Sequence, residues 1–350
     1  MNSSQSSNPR NNFLLRMAVF GAALALSAVS SGAFAAGKSK GVDVEIPYEA
    51  AVLKTTSLVA PQYVNASSGG MVVSDAAGGV YSVTMAGKTT ELASKSKLKH
   101  PGGVAVAPPG FGTPGTVYAL SSGDDANGAC EVDVLDGSGG AATFAKLPDA
   151  GGGKPTDCRD LEFGAAGTPY AGKLYAATAG NSVIYAIDSS GKASVFGAFD
   201  KPLAFDLTAI GFAPATDPKA PNMMLVGMRP KTGAASAKFG RIGIIGPDGK
   251  LKDDPYLVGF IRPTGFGTSP ASWGSYGDTF FIADYGKPAG DGGADDGSLY
   301  RVYKGVARPF ASKLADPTSM KFIGNKLVIT DPSIKGGPGS GGIVVISSML

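Results

Sequence analysis

Two stretches near opposite ends of the chain, PQYVNASSGGMVVSD from Pro61 and PTSMKFIGNKLVITD from Pro317, align for fifteen residues without a gap, from a shared Pro to a shared Asp. Each reads as an apolar strand, a Gly-containing turn and a second apolar strand that ends in an acid. The second strand and its successor recur in LYAATAGNSVIYAIDSSGK from Leu174, in FFIADYG from Phe280 followed by GSLYRV from Gly297, and in LVITDP from Leu327 followed by GGIVVIS from Gly341. A hairpin buries too little surface to persist in water on its own. Self-similarity at a spacing of tens of residues therefore calls for stacked units that share a core.

One further strand precedes each pair, in PGGVAVAP at Pro101, CRDLEFGA at Cys158, LTAIGFAP at Leu207 and PTGFGTSP at Pro263. The first large apolar residues of these strands are Val64, Val104, Leu161, Ile210, Phe266 and Met320, spaced by 40, 57, 49, 56 and 54 residues. Such spacings with several short strands per unit are the signature of propeller blades. Six anchors predict an all-β, six-bladed β-propeller. The 52 Gly and 24 Pro beside 43% hydrophobic residues suit many short strands joined by tight turns. The last unit stops at IVVISSML without an outer strand, and VDVEIPYEAAVLKT from Val42 has the strand character to supply one. The ring is expected to be closed by this N-terminal strand, which removes an exposed sheet edge.

Residues 1–35 read as a secretory signal: Arg10 and Arg16 precede the apolar stretch Met17 to Leu26, and Ala33-Phe34-Ala35 gives small residues at the cleavage positions. Residues 36–350 are then a single propeller domain, periplasmic or secreted, with no integral membrane segment. Removing the signal lowers the formal charge from +3 to +1, which argues against a nucleic-acid partner. Cys130 and Cys158 are the only cysteines. In an oxidising compartment they are candidates for a disulfide; the other reading is two small buried hydrophobes.

Several motifs fail on context. GFGTPG gives Gly110, Gly112 and Gly115 a dinucleotide-like spacing, but Pro114 and the strand-like TVYAL follow where a helix would have to start. His100 is the only histidine, which excludes a multi-histidine zinc site, and no Ser stands in a G-x-S-x-G elbow. The acidic loops SGDDANG at Ser122 and GDGGADDG at Gly290 read as solvated turns, because the sixth position of a calcium loop starting at Asp291 is Asp296 rather than Gly. Asp75, Asp284 and Asp331 recur at strand ends and are expected to hold turn backbone.

Aligning the six inner strands puts Ala60, His100, Asp157, Asp206, Arg262 and Asp316 at one equivalent position, with Gln62, Gly102, Arg159, Thr208, Thr264 and Thr318 two residues later. In a closed ring both sets converge on one mouth of the channel. His100, Arg159, Arg262, Thr208, Thr264 and Thr318 are candidate ligand-binding residues. Asp157, Asp206 and Asp316 are candidate ligands for a divalent metal such as calcium, since clustered carboxylates require a cation or protons to coexist. The other reading is that each Asp caps a strand or pairs with a nearby base.

The pattern of strand, Asp-containing turn, Gly, strand and D..GK resembles repeats of the NHL type and of the wider gluconolactonase-like six-bladed propellers. Enzymes of that group hold their ion with Glu, Asn and Asp at strand starts, one within a P-D-G-like sequence. This chain departs from them, with Thr264 in PTGF, Thr318 in PTSM and Thr208 in LTAI at that position. The departure favours an exported propeller that binds a small molecule or protein partner at the mouth, and leaves open whether it is an enzyme. The alternative is a divalent-metal-dependent hydrolase or lactonase. RPTGFGTSPASWGSYGDTFFIADYG from Arg262 also resembles quinone-dependent sugar dehydrogenases, a third reading in which His100 is the base and Arg262 holds the cofactor.

Overall fold

The computed structural model describes residues 42–122, 128–150, 153–199, 204–231, 239–286, 296–334 and 341–350. Its strands form six antiparallel sheets, whose inner strands are Pro61–Ser67, Pro101–Val106, Cys158–Phe163, Phe205–Phe212, Pro263–Thr268 and Ser319–Ile323. Each inner strand packs on the next and the last packs on the first, so the ring closes as a six-bladed propeller. The anchors Val64, Val104, Leu161, Ile210, Phe266 and Met320 lie one on each inner strand, and all are buried. Blades 1 to 6 are numbered here in chain order from Pro61.

Blade 3 shows why its residues form these strands. Leu174–Thr178 and Val183–Ile187 pair in unbroken register, and side chains alternate between the two faces of the sheet. Leu174, Ala176, Val183, Tyr185 and Ile187 share a core with Tyr118 and Leu120 of blade 2. The intervening Tyr175, Ala177, Ile184 and Ala186 share another with Ile210, Met224 and Val226 of blade 4. Both faces are covered, so the sequence is continuously apolar instead of alternating. Burying each Val, Leu or Ile contributes about 1.5–3 kcal/mol, which a free hairpin would forgo. The outer strand Ala193–Ala198 has a neighbour on one edge only, and half of its residues are exposed.

Closure follows the expectation. Tyr48–Leu53 pairs along Gly342–Ser348, from Tyr48 opposite Ser348 to Leu53 opposite Ile343, and so supplies the outer strand of blade 6. The sequence reading did not anticipate that Asp43–Val44 would add a fifth strand to blade 5, with Asp43 opposite Ser312. Tyr48 pegs this strap in place. Its ring lies 4.5, 5.5 and 5.2 Å from those of Trp273, Tyr276 and Phe310, and its hydroxyl donates to the Trp273 carbonyl at 3.0 Å. Glu45 pairs with Arg301 at 3.1 Å and accepts the Tyr276 hydroxyl at 2.5 Å.

Gly110, Gly112 and Gly115 lie in a turn that leads straight into the strand Val117–Ser121. The one helical element among the described residues is a 3-10 turn at Gly274–Tyr276, and none of their helices is long and apolar enough to cross a membrane. The signal segment and most of both acidic loops (residues 123–127 and 287–295) lie outside the described residues.

Candidate functional site

The strand-end acids bind backbone. Asp75 accepts N–H groups of Val59 at 2.6 Å and Ala60 at 3.0 Å. Asp284 does the same for Ile261 at 2.9 Å and Arg262 at 2.6 Å, and Asp331 for Ala315 at 2.9 Å and Asp316 at 3.0 Å. In blades 1, 5 and 6 a buried carboxylate thus fixes the residue that precedes the inner strand. The mouth-facing column of Ala60, Arg262 and Asp316 is held by this device.

At the second column the ladder between inner strand and neighbour slips in blades 1 to 5, as a β-bulge re-aims the side chain there. Three of the six occupants are threonines that reach the following blade. Thr208 donates to the Pro263 carbonyl and Thr264 to the Pro317 carbonyl at 2.6 Å. Thr318 approaches the Pro61 carbonyl at 3.4 Å while its neighbour Thr330 donates to Gln62 at 2.9 Å. These hydroxyls are engaged between blades.

Gln62, Gly102 and Arg159 fill the same column in blades 1 to 3 and line a cleft of about 260 Å³ with Tyr63, His100 and Asp157. Arg159 donates to Asp157 at 2.7 Å. Asp157 has a φ of 56°, a left-handed conformation that Asp tolerates better than most residues. Cys158, between them, forms a disulfide with Cys130 (Cα–Cα 5.7 Å) and ties blade 2 to blade 3. A Cβ on Gly102 would stand 2.7 Å from the Cys158 carbonyl, so glycine lets the two inner strands approach here.

Across the mouth, the cations are unevenly matched. Asp206 pairs with Arg229 at 3.3 Å and Lys231 at 3.9 Å. Asp316 accepts hydroxyls from Ser333 and Tyr285. Arg262 stacks over the Tyr285 ring at 4.6 Å and has no ion pair among the described residues. Burial, and then the nearby Arg229 and Arg159, hold its pKa below the usual value. Burial also works against the charge of Arg159, but Tyr63 and Asp157 outweigh it and keep that pKa high. The Nε of both Arg159 and Arg262 is buried without a hydrogen-bond partner among the described residues. Burial pushes the Tyr63 phenol up to about 12, so at neutral pH it is a neutral donor.

The candidate metal carboxylates Asp157, Asp206 and Asp316 therefore have separate partners. Among the described residues no group of three or more His, Cys, Asp or Glu is gathered to hold a metal. His100 is exposed on the cleft rim.

Below the mouth, the column of Asn65, Ala105, Glu162, Gly211, Gly267 and Lys321 places an ion pair in the channel: Lys321 of blade 6 bonds to Glu162 of blade 3, on opposite sides of the ring. Asp160, one step above, accepts the N–H of Leu161 at 2.9 Å and of Ile210 at 3.0 Å, and burial pushes its carboxyl up to about 6. The sequence reading missed Tyr63, Asp160, Glu162 and Lys321. The same alignment, read three and five residues beyond the Ala60 column, shows them as large or charged side chains in otherwise small or neutral columns. It could not have found Arg229 and Tyr285, which come from second strands and their turns.

No family model matches the sequence, and no curated protein matches it. Solved structures do. The soluble aldose sugar dehydrogenase of Escherichia coli is similar over 86% of this chain and 99% of its own, with 13% identity and a TM-score of 0.58. A protein provisionally assigned as a gluconolactonase covers 87% of this chain and 93% of its own, at 12% identity and a TM-score of 0.57. Virginiamycin B lyase of Staphylococcus aureus covers 86% and 99%, at 12% identity and a TM-score of 0.52. Identities this low establish the fold alone, and three activities on one scaffold leave function to be argued from the site. The chain is a six-bladed β-propeller whose structural neighbours are gluconolactonase-like and related propeller proteins.

Proposed function

We propose that this chain is an exported propeller that binds a small molecule at the mouth of its channel without transforming it. The observation that carries the reading is the cleft of Gln62, Gly102 and Arg159, which opens where the column that elsewhere stitches blades together holds no threonine. A concave site with a few convergent polar groups is what a small ligand needs. The disulfide beside it suits an oxidising compartment, in keeping with the signal-like N-terminus. A binder is favoured over an enzyme because the lone imidazole, His100, sits exposed on the rim, and among the described residues no nucleophile is hydrogen-bonded to it.

The second reading, a divalent-metal hydrolase or lactonase built on Asp157, Asp206 and Asp316, would require all three carboxylates to leave their present partners. Thermal melts against a library of neutral and acidic small molecules test the binding reading. A ligand at a hundred times its Kd adds about 2.7 kcal/mol, and its shift should disappear in Gln62→Ala or His100→Ala while persisting in Thr264→Val. Hits that ignore both cleft variants would refute the site, and turnover of a hit would replace the binder with an enzyme.

A further inference from the structure

Resting on the mouth as the ligand site, we infer that its ligand carries a carboxylate, received by the guanidinium of Arg262. Among the described residues, the cations Arg159, Arg229, Lys231 and Arg262 stand around the mouth with the carboxylates Asp157, Asp206 and Asp316. Asp157 answers Arg159, Asp206 is shared by Arg229 and Lys231, and Asp316 is taken up by the hydroxyls of Ser333 and Tyr285. Among the described residues, Arg262 is the one left without an ion pair.

Its situation is costly without a ligand. A largely buried guanidinium beside two others loses hydration and gains repulsion, and among the described residues its buried Nε–H has no acceptor. The Tyr285 ring lies 4.6 Å from the guanidinium carbon, and a guanidinium carries planar N–H donors suited to a planar acceptor. The neutral phenol of Tyr63, close enough to Arg159 and Arg262 to feel both charges, adds a donor beside them. A guanidinium fork and a carboxylate match in bidentate geometry. A phosphate dianion would bring a second negative charge near the carboxylates Asp157 and Asp206 and the buried Asp160. A single guanidinium without an ion pair among the described residues fits a monoanionic group.

Calorimetric titration of the full chain with lactate and gluconate, with lactamide and gluconamide as neutral twins, and with inorganic phosphate tests the inference. At least one acid should bind at least about tenfold tighter than its amide and tighter than phosphate. Arg262→Gln should remove most of that preference, and Arg262→Lys, which keeps the charge but loses the fork, should weaken binding by a smaller factor. A melt close to the parent's in either variant shows that the ring is intact. Amides that match the acids, acids that bind Arg262→Gln unchanged, phosphate that binds tightest, or no saturable heat from either acid each overturn the carboxylate. The mouth itself survives those results if a library hit still depends on Gln62 and His100, and falls with them if no such hit exists.

Discussion

The two halves of the ring are joined differently. From blade 4 through 5 and 6 to blade 1, one device is used three times: a threonine of the second column reaches a proline carbonyl at the start of the next blade. From blade 1 to blade 4 every junction is different. Ser74 donates to the Gly102 carbonyl at 2.8 Å between blades 1 and 2, the Cys130–Cys158 disulfide joins blades 2 and 3, and Asp160 accepts the Ile210 N–H at 3.0 Å between blades 3 and 4. The threonine half has its polar groups turned inward on the ring itself. The other half has moved the joining to other positions, and the vacated column, Gln62, Gly102 and Arg159, forms the cleft. A repeat protein can open a cleft by relocating a structural contact.

The largest break of that comparison comes from the threonine half, by undoing its closure. Deleting Val42 to Lys54 removes the strand paired with Gly342–Ser348 and takes Tyr48 out of its aromatic seat. We expect no cooperative melt and aggregation along the freed edge. Tyr48→Ala alone should cost about 3–5 kcal/mol in a urea titration, as for other buried aromatics. A strapless protein that stays monomeric and melts with its parent would show that closure does not hold the ring.

On the cleft side, the paired substitution Cys130→Ser with Cys158→Ser should cost about 3 kcal/mol. It should also weaken any mouth ligand, because Cys158 stands between Asp157 and Arg159. Equal destabilisation with unchanged affinity would reduce the disulfide to a staple. Thr264→Val should behave in the opposite way, costing about 1–2 kcal/mol through the unmet Pro317 carbonyl and leaving ligand affinity alone. Gln62→Ala should be nearly neutral for stability yet harmful to binding. The contrast between these two residues of one column is the most direct test of the two halves.

How much of this could be read from the sequence divides along the same line. The blade number, the six anchors, the strap and the capping acids were legible because they recur, and a recurring residue reports a constraint common to every blade. The mouth column was legible too, since register puts Asp157 and Arg262 at equivalent positions. What they bond to was not. Arg159 neutralises Asp157 two residues away, whereas Arg229, Tyr285 and Ser333 come from the second strands and the turns that follow them. Those partners do not repeat, and only the closed ring brings them together. The threonines show the complementary limit, because their repetition marked a junction and the sequence held no sign that the hydroxyls point to the next blade.

A pH-dependent effect is expected at the junction between blades 3 and 4, where an ionisable group does what threonine does elsewhere. Burial raises the Asp160 carboxyl to about 6, above the ordinary value of about 3.9 in an unfolded chain. Between those values the folded state binds the proton more readily than the unfolded state does. This group therefore adds stability as the pH falls through that window, and the gain is lost as the pH rises through about 6. Asp160→Asn keeps one acceptor oxygen for two N–H groups, those of Leu161 and Ile210, so it should be weakened at every pH. It should also lack the slope. Urea midpoints measured from about pH 7 down to about pH 4.5 should show the gap between parent and Asp160→Asn widening as the pH falls. Thr264→Val, whose junction has no titrating group, should run parallel to the parent. A constant gap for Asp160→Asn would mean that the carboxyl is already ionised at little cost, and the two kinds of junction would then differ in geometry but not in their response to pH.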